Sequence, residues 1–210
     1  MLESSRSAFE SVLGPLELRF DATQAILERL AKGASADLLI LTSDALEDLR
    51  RKDQVTEIRA LGSSGVGLAV RAGAPRPDIG SVDALVRALL SASSVAHSKV
   101  GASGIYFSEL LEHLGIAGRL KKRIVVEKGP VGLAVAAGEA EIGVQQLCEL
   151  APVRGIDIVG PLPDPIQRVT RFAAGIPAKA ANSQGASALI ELFRSERIRA
   201  GMLEGGIDPA

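Results

Sequence analysis

At 210 residues, with 47% apolar and 23% charged side chains, the chain is long enough to bury a core in one large or two small α/β lobes, and too apolar to be disordered or collagen-like. A formal net charge of −1 leaves no bulk basicity to hold a nucleic acid backbone or an anionic membrane, so any anion has to be gripped locally. Aromatics at 3% with no Trp make stacking platforms scarce, the single cysteine excludes an internal disulfide, and two histidines supply a zinc site poorly.

Neither cofactor nor metal is therefore expected, and Cys148 is read as buried and inert. No apolar run approaches bilayer length, so no membrane insertion is expected. The opening Met1-Leu2-Glu3-Ser4-Ser5-Arg6 lacks the basic start and apolar stretch of a secretory signal, and as written the chain would stay in the cytoplasm.

Leu16-Glu17-Leu18-Arg19-Phe20 alternates as a short strand. A helix follows from Thr23, capped by Asp21 or Thr23 and ending near Gly33. The near-continuous apolar run Asp37–Thr42 predicts a parallel strand buried on both faces, and Ser43-Asp44 opens the next helix. After a linker, Gly65–Arg71 is a strand that ends in the turn-rich Ala72–Asp78, a candidate crossing between lobes. Ser81 caps a helix, Ser94–His97 is a strand, and the Gly/Ser loop Ser98–Gly104 leads into a helix that Gly115 terminates. Arg123–Glu127 and Ala140–Gln145 are strands flanking a helix over 131–137. Ile156–Gly160 and Arg168–Ile176 are two more strands, and the remainder is helical over 186–193 and 196–202. This βα alternation predicts an α/β fold.

Several strand-to-helix turns carry hydroxyl or glycine residues at the helix start: Thr23, Ser103-Gly104 and Gly129-Pro130. Unpaired N–H donors and partial positive charge at such starts can hold an anion without net basicity.

Four stretches resemble a known family: Ala36–Thr42, Gly65–Pro75, Gly101–Phe107 and Gly138–Gln146. In order and spacing they are similar to the Ala-Asp-Val strand, the lobe-crossing segment, the second-lobe ligand loop and the Gly-Glu-Ala return strand of molybdate-binding-protein-like members of the type 2 periplasmic binding protein superfamily. The resemblance implies a two-lobed fold, each lobe a mainly parallel sheet flanked by helices, with residues 1–70 in lobe 1, 71–170 in lobe 2 and 171–210 returning to lobe 1. It also implies that Ser7 to Leu13 is the tail of the family's first helix, that the first strand of lobe 1 and its ligand loop are missing, and that a homo-oligomer could supply an edge if that shortening is real. A small anion, an oxyanion or organic acid, is expected in an interlobe cleft, with an ABC permease as partner and a periplasmic location.

The ligand-binding candidates are Thr23, Arg71, Ser98, Ser103, Gly104, Gly129, Pro130, Gln145 and Gln146. Gln145-Gln146 stands where oxyanion binders of the family have smaller apolar residues or Tyr, and Gln167–Phe172 offers no Tyr. Arg71, Arg168 or Arg171 at the cleft would favour a carboxylate, which matches the guanidinium fork. Capture for transport needs no reaction. The alternative is an isomerase on the same scaffold, resembling aconitate isomerases and acting on a small polycarboxylate, for which His97 is the candidate base. A cytoplasmic ligand sensor working through a partner is the third reading.

Overall fold

The computed structural model describes residues 9, 10 and 14–210. The chain divides into two compact units, one made of residues 1–63 and 171–210, the other of 64–170. Most of the expected Ser7–Leu13 helix lies outside the described residues; Phe9 and Glu10 are helical.

The first unit contains α1 (Thr23–Ala31), β1 (Leu39–Thr42), α2 (Ser43–Arg51), the start of β2 (Val55–Arg71), most of β7 (Val169–Pro177), α7 (Ser183–Phe193), α8 (Glu196–Glu204) and β8 (Asp208–Pro209). β1 pairs antiparallel with β7, from Leu39 opposite Gly175 to Thr42 opposite Phe172. β7 neighbours β2, which pairs antiparallel with β8 at Gly62 and Ser63. Leu39, Leu41 and Ala173 pack with Leu46, Leu49 and Val55, against which Ile26, Leu27 and Leu30 of α1 rest. A second cluster joins Leu61, Ala174 and Ile176 to Ala186, Ile190, Phe193, Ile198 and Met202, with Phe9 tilted against Phe193 at a centroid distance of 5.4 Å. Helices cover both faces, yet β1 is not the parallel strand that its apolar run predicted: it pairs antiparallel with β7, and Leu39 and Leu41 are buried while Ile40 and Thr42 are half-buried.

The second unit holds the rest of β2, α3 (Val82–Ser91), β3 (Val95–Ser98), α4 (Ala102–His113), β4 (Arg123–Val126), α5 (Val131–Ala136), β5 (Ile142–Gln146), α6 (Leu147–Leu150) and β6 (Ile156–Pro161). Its sheet runs β6-β2-β5-β3-β4. β4, β3 and β5 are mutually parallel, and β2 is antiparallel to both β5 and β6. Val66, Leu68, Val70, Val95, Ile142 and Val144 bury one face under α3 and α4 through Leu85, Leu89, Phe107 and Leu111. On the other face Ala96 packs with Val131, Val135 and Ala140. Ser81 caps α3 by accepting the Ala84 N–H at 3.1 Å.

Three expectations are corrected. The second unit's sheet is mixed rather than mainly parallel, because β2 arrives from the first unit and runs against β5 and β6, and in the first unit β1–β7 and β2–β8 are antiparallel pairs. Leu16–Phe20 is irregular: alternation supplies strand propensity, but among the described residues no strand lies beside it to complete a ladder. The segment before Gly65 is not a linker, since β2 runs unbroken through 17 residues from Val55. Its polar, exposed positions Thr56 and Arg59 disguise that strand.

Candidate functional site

In open α/β sheets ligands gather beyond the carboxyl ends of the parallel strands. In the second unit those ends are Ser98 on β3 and Gln145-Gln146 on β5. Because β2 runs the other way, Val66 stands opposite Gln146 while Val70 stands opposite Ile142. Arg71, at the far end of β2 beside Ile156, is exposed and lies at the opposite edge from these residues.

The loop after β3 is folded by Ser98. Its hydroxyl accepts the Gly101 N–H at 3.1 Å, its carbonyl approaches His97 Nδ1 at 2.9 Å, and α4 starts at Ala102. Ser103 and Gly104 therefore occupy the first turn of α4, and Ser103 is only 3% exposed. A β-carbon on Gly104 would fall 1.9 Å from the Ser98 carbonyl oxygen, so only glycine lets the helix close onto the strand end. Gly129 has φ +85°, a left-handed conformation that turns the chain into Pro130 ahead of α5.

Gln145 and Gln146 are 5% and 4% exposed, and strand alternation turns them to opposite faces. Gln145 Oε1 accepts the Val131 N–H at 2.7 Å, and its side chain also hydrogen-bonds the Glu149 carboxylate. Gln146 Nε2 and Glu149 Oε2 are buried without a protein partner. A buried unpaired donor or acceptor costs roughly 1–3 kcal/mol, so each of these open groups suits a ligand atom that supplies its partner. Burial pushes the Glu149 carboxyl above the usual range, against the pull of Gln145. Beside them the Cys148 N–H donates to Ser64 Oγ at 3.1 Å, and burial raises the Cys148 thiol, which is partly rather than fully buried.

His97 does not suit the role of base. Ser98 O can only accept, so Nδ1 carries the proton and Nε2 accepts from Arg123 Nε at 2.7 Å. Both ring nitrogens are occupied, the residue is 2% exposed, and burial lowers its pKa. It works as a strut between loop and strand.

The remaining candidates are dispersed. Thr23 belongs to the first unit, where it is the first residue of α1 and Ala22 takes the capping position. Arg168 is exposed, with its guanidinium 5.8 Å from the Tyr106 ring centre, and Arg171 is an exposed residue of β7. Glu149, Ser64 and Arg123 escaped the sequence reading. A carboxylate inside the apolar Leu147-Cys148-Glu149-Leu150 was the available signal for the first; nothing local marks the other two.

Residues 14–207 match the family of bacterial extracellular solute-binding proteins, and the chain belongs to that family. It is 39% identical over 194 residues to an aconitate isomerase of a Pseudomonas species, an alignment spanning 90% of this chain and 73% of that protein. Its fold matches the periplasmic molybdate-binding protein of Azotobacter vinelandii with a TM-score of 0.74 at 16% identity, over 98% of this chain and 93% of that one. A sulfate-binding protein of Mycobacterium tuberculosis superposes with a TM-score of 0.72 at 15% identity, over 99% and 82%. Among the described residues no helix is long and apolar enough to cross a membrane.

Proposed function

We propose that this solute-binding fold holds a small unsaturated polycarboxylate and isomerises it by moving one proton. The observation that carries the reading is the 39% identity to an aconitate isomerase across 90% of the chain. Aconitate is a propene bearing three carboxylates. Removing a proton from its methylene carbon and returning it to the former vinyl carbon shifts the double bond, and the same constitution can re-form with the other alkene geometry. Such a shift balances without oxidant, reductant or cofactor.

Glu149 is the group suited to carry the proton. Its free Oε2 can take the proton from carbon, and its raised pKa brings it nearer to the basicity the step requires. Negative charge then spreads over the allyl unit and its carboxylates, where the open Gln146 Nε2 and the N–H groups at the start of α4 can stabilise it. Ser98, Ser103 and Gly104 shape the loop that presents those N–H groups, while Gln145 aligns Glu149.

The test is incubation with cis-aconitate in heavy water, followed by proton NMR. Appearance of the trans isomer with deuterium at the exchangeable carbon is the expected result; unchanged, undeuterated substrate overturns it. The family match over residues 14–207 supports a second reading, capture of the same anion for an ABC permease without reaction. Tight binding of aconitate with no exchange would select that reading.

A further inference from the structure

Next to the Ser98–Gly104 loop, the second unit holds an open pocket of about 360 Å³ between α4 and the edge strand β4. Arg123 and Val125 of β4, Gly104, Ile105, Ser108 and Glu109 of α4, and Lys99 line it, with His97 beneath. Its electrostatics are uneven. Lys99 is neutralised by both oxygens of Glu127 at 2.9 Å. Arg123 is half-buried, yet its partners are uncharged: Nε donates to His97 Nε2 at 2.7 Å and one Nη donates to Ser108 Oγ. Among the described residues no carboxylate forms an ion pair with it, although Glu109 shares the cavity.

A partly desolvated guanidinium without an anion is an unfavourable arrangement that an incoming carboxylate relieves, two N–H bonds at a time. The neighbouring surface is apolar, since Ile105 and Val125 are 49% and 43% exposed. Glu109 disfavours a multiply charged guest. We propose that this cavity binds a small aliphatic monocarboxylate, its head on Arg123 and its hydrocarbon between Ile105 and Val125. Occupancy would also reach the Ser98–Gly104 loop, because Arg123 rests on His97 and His97 holds the Ser98 carbonyl.

The experiment is a calorimetric titration of the whole chain with butanoate, using inorganic sulfate as the comparison anion. Expected are saturable butanoate binding and at least a tenfold loss in Arg123→Gln. Val125→Glu guards against misfolding of the arginine variant. It leaves the Arg123–His97 contact in place at an exposed position, places a competing carboxylate in the cavity, and should abolish binding. The proposal is overturned if butanoate does not bind, if both cavity variants bind it normally, or if sulfate saturates the site and butanoate does not. None of these outcomes depends on whether aconitate is isomerised.

Discussion

Gly104 and Ser98 approach so closely that a β-carbon on the glycine would stand 1.9 Å from the serine carbonyl oxygen. Gly104→Ala must push the first turn of α4 away from β3, an overpacking cost of about 1–3 kcal/mol. The expected outcome is a lower melting temperature together with a loss of polycarboxylate binding larger than the destabilisation explains. A variant with wild-type melting and binding would show that the loop tolerates the shift.

Glu149→Gln keeps the size and hydrogen-bonding of the side chain but removes the base. Isomerisation and deuterium exchange should fall by about 10²–10⁴-fold while aconitate still binds. Since burial raises the Glu149 pKa and the carboxylate is the active form, the wild-type rate should decline on the acid side at a pH above the ordinary glutamate value of 4.5. A flat profile down to that value would remove Glu149 from the role of base.

Gln146→Leu tests whether the open amide exists for a ligand. Replacing a buried, unpaired donor by an apolar group should raise the melting temperature of the unliganded protein, by about 1 kcal/mol in stability, and weaken aconitate binding at least tenfold. A gain in stability with unchanged affinity would mean that the ligand never meets Nε2.

The folded His97 is held neutral, with a pKa below the ordinary 6.5, so below that value the unfolded chain takes up a proton that the folded chain resists. Stability is therefore complete above pH 6.5 and declines as the pH falls toward the folded pKa. Thermal melts between pH 7 and 5 should show this loss, and it should be smaller in His97→Gln. Equal slopes for the two proteins would assign the acid sensitivity elsewhere.

Strand and helix order was readable because the apolar runs at Leu39–Leu41 and Ile142–Val144 contrast sharply with the Gly/Ser turns around them. Direction was not. Alternation within Gly65–Arg71 says nothing about whether its neighbours run with it, and crossing between units reverses the answer. Leu16–Phe20 shows the complementary limit, since a strand is a property of a pair. At the site, Gly104 was legible as a small residue at a helix start, whereas His97 looked reactive only because its two occupied nitrogens are invisible in sequence. Glu149 was hidden for a related reason: its importance rests on burial and on Gln145, four positions earlier, facing it.

Gln167 grips Val66 from both sides, accepting its N–H at 2.9 Å and donating to its carbonyl at 3.0 Å, while Val66 N–H also reaches the Arg168 carbonyl at 3.2 Å. The polypeptide thus enters and leaves the second unit through one buckled point. Topologically that unit is a cassette inserted into the first, so segments 64–170 could be exchanged between relatives at two adjacent cuts, carrying Ser98, Gln146, Glu149 and the Arg123 cavity together. Selectivity could then be inherited separately from the scaffold that receives it.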